Sequence, residues 1–262
     1  MSMTFLQDGS ATYHCHTHWS DGQSDAAAMV AAAQAAGLRE IGFSDHLVLP
    51  PSRIDIPWAM DPARLDDYVC EVRGAAQTAR IPVRLGLEVD FFPENPRQAE
   101  LDDLLSRHSF DYAIGSIHLL NEFALDSAAD DWARLSPSEV DAVFVRYWQE
   151  MRQLAETPGF DILGHLDLPK KFGFQPETDI REVENAALDA VARSGKLVEL
   201  NTAGWDKLCA ECYPAPDLLR RCLARDIPII INDDAHAPDQ VARHYERARK
   251  LLESVSDRTR ET

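Results

Sequence analysis

The sequence predicts an α/β fold in which repeated strand–helix units close into one barrel. Seven short apolar segments of strand length alternate with helix-length segments along the 262 residues. This alternation is typical of a parallel sheet with helices on its outside. Histidines and carboxylates follow at least six of the apolar segments, and only a closed rim brings that many strand ends together. An open doubly wound sheet is the structural alternative.

The elements can be placed in order along the chain. The predicted strands are residues 11–15, 40–44, 83–88, 112–117, 161–164, 197–201 and 228–232. The predicted helices are residues 25–36, 62–79, 97–106, 137–155, 180–194, 215–225 and a last helix ending near 255. Residues 47–62 contain four prolines and are expected to form a long loop, of the kind that often covers a binding site.

Local signals support the helix boundaries. Gly37 is a good residue to end the first helix, and Pro62 suits the first turn of the second. Ser136 and Glu139 have the spacing of a capping box at the start of the long fourth helix. Because no internal repeat, low-complexity tract or linker interrupts the pattern, residues 1–262 are expected to form a single domain.

Composition narrows the classes of function. Hydrophobic residues make up 45% of the chain, which indicates a globular protein. The opening segment MSMTFLQDGS lacks the features of a signal peptide, and no apolar run reaches about 18 residues. The odd number of cysteines favours reduced thiols. Together these observations predict a soluble cytoplasmic protein, and they leave its oligomeric state open.

The net charge of −18 excludes some partners. So acidic a surface repels the backbone of nucleic acids, and it disfavours an anionic membrane. A small phosphorylated substrate stays compatible with this charge, because bound cations reverse its sign locally.

Six of the nine histidines fall on or just after predicted strand ends, together with two carboxylates. These residues are His14, His16, His46, Glu88, His118, His165, Asp234 and His236. Imidazoles and carboxylates clustered in this way are typical ligands of a multinuclear site for divalent metal ions. Such a site most often activates water against a phosphoester or an amide.

The spacing within the set strengthens this interpretation. His14 and His16 are two residues apart on a strand, so their side chains face the same side, and Asp234 and His236 repeat that spacing. Glu88 ends an apolar strand, where a buried carboxylate needs a cation or a hydrogen-bond network, and its two oxygens can bridge two ions. A single histidine at such a position is more often a core residue, whereas the whole set predicts a metal site.

Asp21, in the segment SDG, has two interpretations of equal weight. Asp-Gly pairs commonly form turns or cap helices. The alternative is that Asp21 is a ligand to a third ion beside His46 and His236.

The motifs HxH…SDG, FSDH, GLEVD, IGSIH, GHLDLPKKFG, ELNTAG and DDAH resemble, in this order, those of the polymerase and histidinol phosphatase (PHP) family. The resemblance covers nearly the whole chain. FDYAIGSIH, ILGHLDLPKKFG and ELNTAG, followed by Lys207 and YP, are most similar to the monofunctional histidinol-phosphate phosphatases. The resemblance implies a distorted (β/α)7 barrel with two or three divalent ions, zinc, manganese or iron, at the C-terminal rim of its strands. It also implies hydrolysis of a phosphomonoester, L-histidinol phosphate in histidine biosynthesis.

The resemblance also assigns roles to individual residues. The implied ligands are His14, His16, Glu88 and Asp234 for one ion, Glu88, His118 and His165 for a second, and His46, His236 and Asp21 for a third. Apart from the resemblance, the leaving alkoxide needs a proton or a cation, and the candidate catalytic residues are Asp234 and a histidine of the rim, His236, between which the sequence does not choose. The candidate phosphate-binding cations are Lys170, Lys171, Lys207 and Arg53, and an exposed, solubilising cation is the equally weighted alternative for each. The chain departs from the family pattern at Asp206 and Ala237, where relatives carry basic residues.

Three other functions fit parts of the pattern. The nearest is a phosphatase or phosphodiesterase of the same fold that acts on another small phosphate ester. A metal-dependent amidohydrolase shares the HxH segment, but its usual carboxylated lysine has no counterpart in this sequence. An inactive PHP module that serves a structural or binding role would be expected to have lost ligands, and this chain retains the full set.

Overall fold

A computed structural model describes residues 3–260 of the chain, and side chains are described through residue 256. The strands are β1 (Ala11–Thr12), β2 (Glu40–Phe43), β3 (His46–Leu47), β4 (Val83–Asp90), β5 (Tyr112–Ser116), β6 (Leu119–Leu120), β7 (Phe123–Ala124), β8 (Ile162–Leu163), β9 (Leu197–Asn201) and β10 (Ile229–Asn232). The helices are α1 (Ala26–Ala35), α2 (Leu65–Thr78), α3 (Gln98–Ser106), α4 (Ala129–Ala133), α5 (Pro137–Glu156), α6 (Arg181–Ser194), α7 (Pro216–Leu223) and α8 (Tyr245–Arg260).

Seven of the strands form a parallel sheet in the order β1-β2-β4-β5-β8-β9-β10, and β3 pairs with the far end of β4. The two ends of this sheet meet just beyond β1 and β10. There the His16 amide donates to the Ala235 carbonyl at 2.8 Å, and the Ala235 amide donates to the His14 carbonyl at 3.1 Å. These bonds complete the ring of strands, so the closed barrel is confirmed and the open sheet is wrong.

Tyr112 fills the end of the barrel opposite the C-terminal rim. Its single hydroxyl proton is shared between the carbonyls of Tyr13 and Phe43, whose oxygens lie 2.6 and 2.9 Å away, and so ties two other strand segments to β5. The ring occupies space that side chains at Gly42 and Gly86 would otherwise take, because a Cβ at either position would collide with it. The absence of side chains at these two strand positions is what allows the barrel to close around a tyrosine.

The boundary signals in the sequence are confirmed. Asp25 caps α1, with its side chain accepting from the Ala28 amide at 2.8 Å. Gly37, just beyond the helix, has a left-handed φ of 76°. Ser136 and Glu139 form the predicted capping box of α5. Within residues 3–260, no helix is both long enough and apolar enough to cross a bilayer.

The structure adds elements between β5 and α5, where the sequence predicts neither a strand nor a helix. β6 and β7 form a short antiparallel hairpin, with Asn121 at its turn in the left-handed region, at φ 56°. The short helix α4 follows, and Trp132 on it is fully buried, with its indole nitrogen donating to the Leu125 carbonyl at 2.9 Å. Two-residue strands give too little periodicity to be predicted from a single sequence.

The packing around Tyr112 gives a test of the fold. Gly86→Ala places a methyl group against the buried ring, and such overpacking is expected to lower the free energy of unfolding by about 1–3 kcal/mol. Gly74→Ala is the matched control, because Gly74 lies within α2 with open space around it, and it should raise stability by about 0.5–1 kcal/mol. Urea unfolding of both variants measures the difference, and equal effects would contradict this packing.

Candidate metal centre

The closed barrel brings the predicted ligands to one rim. Glu88 lies two residues before the end of β4, and the others follow the ends of strands, with Asp21 farthest along the segment between β1 and α1. Three groups of side chains have ligand atoms close enough together to hold an ion. They are His14, His16 and Glu88; His46, Glu88 and His118; and His16, Asp21, His46 and His236.

Glu88 belongs to two of these three groups and is fully buried. Its Oε2 atom is 3.0 Å from His14 Nε2 and 3.0 Å from His46 Nδ1. Its Oε1 atom faces the other way, 3.0 Å from His165 Nε2 and 3.7 Å from His118 Nε2. The two oxygens of one carboxylate therefore face two different sets of imidazoles, which is the geometry that a bridging ligand requires.

Asp21 lies near the imidazoles of the third group. Its Oδ1 atom lies 3.2 Å from His236 Nε2, 3.7 Å from His46 Nε2 and 4.0 Å from His16 Nδ1. This position supports the interpretation of Asp21 as a ligand rather than only a turn residue. Asp234 lies on the opposite side of His16, with Oδ1 3.3 Å from His16 Nε2.

The surroundings of the His16 ring show whether these residues fit a metal ion. Both of its ring nitrogens are buried and neither makes a hydrogen bond to the described part of the protein. Burial, with the nearby His236 and His46 rings, lowers the pKa of His16 to about 3, so the ring is neutral and offers a lone pair. A buried neutral imidazole without a hydrogen-bond partner is costly on its own and is the form that binds a divalent ion. The donor set therefore fits a metal centre.

The carboxylates of the cluster are ionised despite their burial. Burial alone would raise the pKa of Glu88 and of Asp234, but the neighbouring imidazoles hold both pKa values well below their usual range. The same balance lowers the pKa of Asp21. The rim therefore presents fixed negative charges among imidazoles, which is the arrangement that attracts cations.

A second layer of carboxylates orients the imidazoles. Asp90 Oδ1 lies 2.6 Å from His118 Nδ1, and Glu199 Oε2 lies 2.9 Å from His14 Nδ1. Glu199 also accepts from the amide of His165 at 2.6 Å. Such outer partners fix the tautomer and the ring orientation of a metal-binding histidine. Sequence reasoning missed both residues, although Asp90 follows Glu88 by two residues on β4 and Glu199 lies within the buried strand β9.

A cavity of about 370 Å³ opens above the cluster. Besides the ligands, its wall includes Trp58, Asp126, Lys171, Lys207, Gln240 and Arg243. Lys171 Nζ donates to the carbonyl and the carboxylate of Asp126, at 2.9 and 3.1 Å. Partial burial, with the charge of Lys171, lowers the pKa of Lys207, which signals that cations converge on this wall.

Two of the four predicted substrate-binding cations do not line this cavity. Lys170 is buried on the other side of the short 3-10 helix Leu168–Phe172, where Nζ donates to the Cys212 carbonyl at 2.7 Å and pairs with Asp167 at 2.8 Å. Consecutive residues of a 3-10 helix point about 120° apart, so Lys170 and Lys171 face different surroundings. Arg53 lies on the exposed loop, 3.9 Å from Glu100.

Comparison with known proteins assigns the fold to a family. Residues 12–203 match the family model described as PHP domain. The chain belongs to the PHP domain family. The candidate ligands of this PHP domain lie within the matched residues, apart from Asp234 and His236, which follow β10.

Relatives of this PHP domain cover most of its length. A Deinococcus radiodurans protein named "Probable histidinol-phosphatase" is 37% identical over 230 residues, which span 87% of this chain and 86% of the relative. A Bacillus subtilis "Histidinol-phosphatase" is 28% identical over 233 residues, spanning 80% of this chain and 86% of the relative. The solved structure of a histidinol phosphate phosphatase from Lactococcus lactis, complexed with zinc, L-histidinol and phosphate, shares the fold with a TM-score of 0.74 at 20% identity. That match covers 94% of this chain and 93% of the other.

The central position of Glu88 gives a test of the metal centre. Glu88→Gln removes the charge while keeping the size, so metal affinity should fall at least about 100-fold, more than the loss expected for an outer partner. Glu150→Gln is the matched control, because Glu150 is buried on α5 beside Arg146 and away from the rim. Elemental analysis after equilibration with zinc measures the difference. A Glu88→Gln protein that retains as much metal as the control would refute the bridging role.

Proposed function

We propose that this PHP domain hydrolyses the phosphomonoester L-histidinol phosphate to histidinol and inorganic phosphate. The observation that carries the proposal is the cavity itself, in which a buried imidazole–carboxylate cluster faces a wall containing Lys171 and Lys207. Similarity to a relative named for this activity, at 37% identity over 87% of the chain, favours this ester over other small phosphate esters.

The cluster would hold two to three divalent ions, which we propose to be zinc, manganese or iron. The zinc in the Lactococcus lactis complex supports zinc as the first candidate. Bound ions of this kind supply Lewis-acid stabilisation of phosphoryl oxygens and a water that is deprotonated near neutral pH. Glu88 would hold them together with the histidines of the rim, and Asp234 would contribute from beside His14 and His16.

Lys207 and Lys171 would bind the phosphoryl group. The amino group of Lys207 has no hydrogen bond or ion pair with any residue in the described part of the chain, and it lines the cavity opposite the ligands. Lys171 is held by Asp126 at the same wall. Cations fixed in this way neutralise charge on the phosphoryl oxygens as it develops during the reaction.

Asp234 and His236 would handle the proton that the leaving alkoxide requires. His236 Nδ1 lies 3.6 Å from Asp234 Oδ1, and both side chains line the cavity. Burial opposes protonation of His236, but the carboxylates of Asp21 and Asp234 outweigh it and raise its pKa, so the ring can hold a proton for transfer. Asp234 is ionised, so it would stabilise the protonated ring of His236 rather than supply the proton itself.

We also propose a cytoplasmic location. All five cysteines lie in the described residues, and each is a free thiol. Unpaired thiols are typical of a reducing compartment.

The substrate is tested by steady-state kinetics. With zinc or manganese added, kcat/KM for L-histidinol phosphate is expected to exceed that for p-nitrophenyl phosphate by at least about tenfold, because contacts to the leaving group contribute to transition-state binding. Equal or lower kcat/KM for L-histidinol phosphate would reassign the protein to another small phosphate ester. No hydrolysis of either ester by the metal-loaded protein would contradict phosphatase activity altogether.

A further inference from the structure

Arg243 is a cation of the cavity wall that lies outside every motif of the sequence. It follows the short 3-10 helix Pro238–Gln240 and comes two residues before α8. Its Nε and Nη2 atoms donate to the Asp233 carbonyl at 3.0 and 2.8 Å, and Nη2 also donates to the Asp234 carbonyl at 2.8 Å. The guanidinium is therefore fixed to the backbone of a metal-centre residue.

The backbone around Arg243 is held in an unusual conformation. Ala242 and His244, on either side of it, both have left-handed φ angles, at 61° and 60°. The Arg243 carbonyl accepts from the Thr202 hydroxyl at 2.8 Å, which anchors the segment to the end of β9. Non-glycine residues adopt left-handed conformations at a cost, and such strain is kept where it positions a functional group.

One nitrogen of the guanidinium, Nη1, is available to bind an anion. Nη1 makes no hydrogen bond within the described structure, and the nearest carboxylate oxygen, Asp206 Oδ2, lies 3.6 Å away. Asp206 is itself half-exposed and lies 2.9 Å from His244. An ion pair this long, with one partner in solvent, is weak and is readily exchanged for a stronger anion.

Charges on the wall indicate which anion would bind. Burial is the largest cause that lowers the pKa of Lys207, and the neighbouring cations Lys171 and Arg243 lower it further. Three cations therefore face one part of the cavity. Arginine is suited to phosphate because its planar group can donate from fixed directions and stays charged.

We propose that Arg243 binds a phosphoryl oxygen of the substrate through Nη1, and that Asp206 holds this nitrogen when no phosphate is present. Arg243 would then set the distance between the phosphoryl group and the metal centre, because it is bonded to the carbonyl of Asp234. This inference rests on the proposed phosphomonoester hydrolysis.

The test uses inorganic phosphate as the probe, measured by calorimetry on the zinc-loaded protein. Arg243→Met should weaken phosphate binding about 10- to 100-fold, the usual loss of a hydrogen bond to a charged group. Arg247→Met is the matched control, because this substitution removes the same charge from nearby α8. The guanidinium carbon of Arg247 lies 4.2 Å from the centre of the Trp205 ring. The control should stay within about twofold of the wild type. Phosphate affinity of Arg243→Met within threefold of the wild type would overturn the proposal.

A second variant guards against loss of structure in Arg243→Met. Asp206→Asn removes the carboxylate that competes for Nη1, so phosphate binding should tighten at least about threefold, while zinc content stays unchanged. The same substitution in an Arg243→Lys background should have less effect, because the fixed guanidinium is gone. Asp206→Asn with unchanged phosphate affinity, or with an equal gain in both backgrounds, would overturn the role of Arg243. Phosphate binding is independent of the ester, so a poor rate with L-histidinol phosphate would refute the proposed substrate alone.

Discussion

The structure depends on one buried carboxylate. Glu88 has no solvent contact, and moving an ionised carboxylate out of water costs several kcal/mol unless opposite charge compensates it. Imidazoles provide that compensation on both of its oxygens, with nitrogens of His14, His46 and His165 each 3.0 Å away. His14 follows β1, His46 begins β3 and His165 follows β8, so the compensation requires the sheet to curve until these strand ends converge on Glu88. Fold and site therefore stabilise each other at this position.

One end of the barrel contributes mainly to stability, and the other carries the candidate functional site. At one end, Tyr112 packs against glycines and bonds to two carbonyls, which leaves a tightly packed base. At the other, Asp90 and Glu199 hold the imidazoles from behind, so the rim is rigid as well as polar. This division is general in barrels of parallel strands, where loops at the C-terminal rim vary in chemistry over a constant base.

Much of this could be predicted from the sequence, because strand ends and helix caps leave local signals. The capping box of Ser136 and Glu139 and the ligands that follow strands are examples. Other features depend on geometry that periodicity does not encode. Lys170 and Lys171 are adjacent in sequence, yet the 3-10 helix turns one into the protein and the other into the cavity. Arg243 reaches the cavity through flanking left-handed residues that no motif marks.

The central claim is that the two oxygens of Glu88 contact different metal ions. Its most direct test is a crystal structure of the zinc-loaded protein with anomalous diffraction data collected at the zinc edge. We expect two strong anomalous peaks, one on each side of the Glu88 carboxylate, at zinc–oxygen distances of about 2.0–2.2 Å. The two sets of imidazoles that face the two Glu88 oxygens should each lie around one peak. A single peak bound by one Glu88 oxygen, or peaks that do not contact Glu88, would contradict the account.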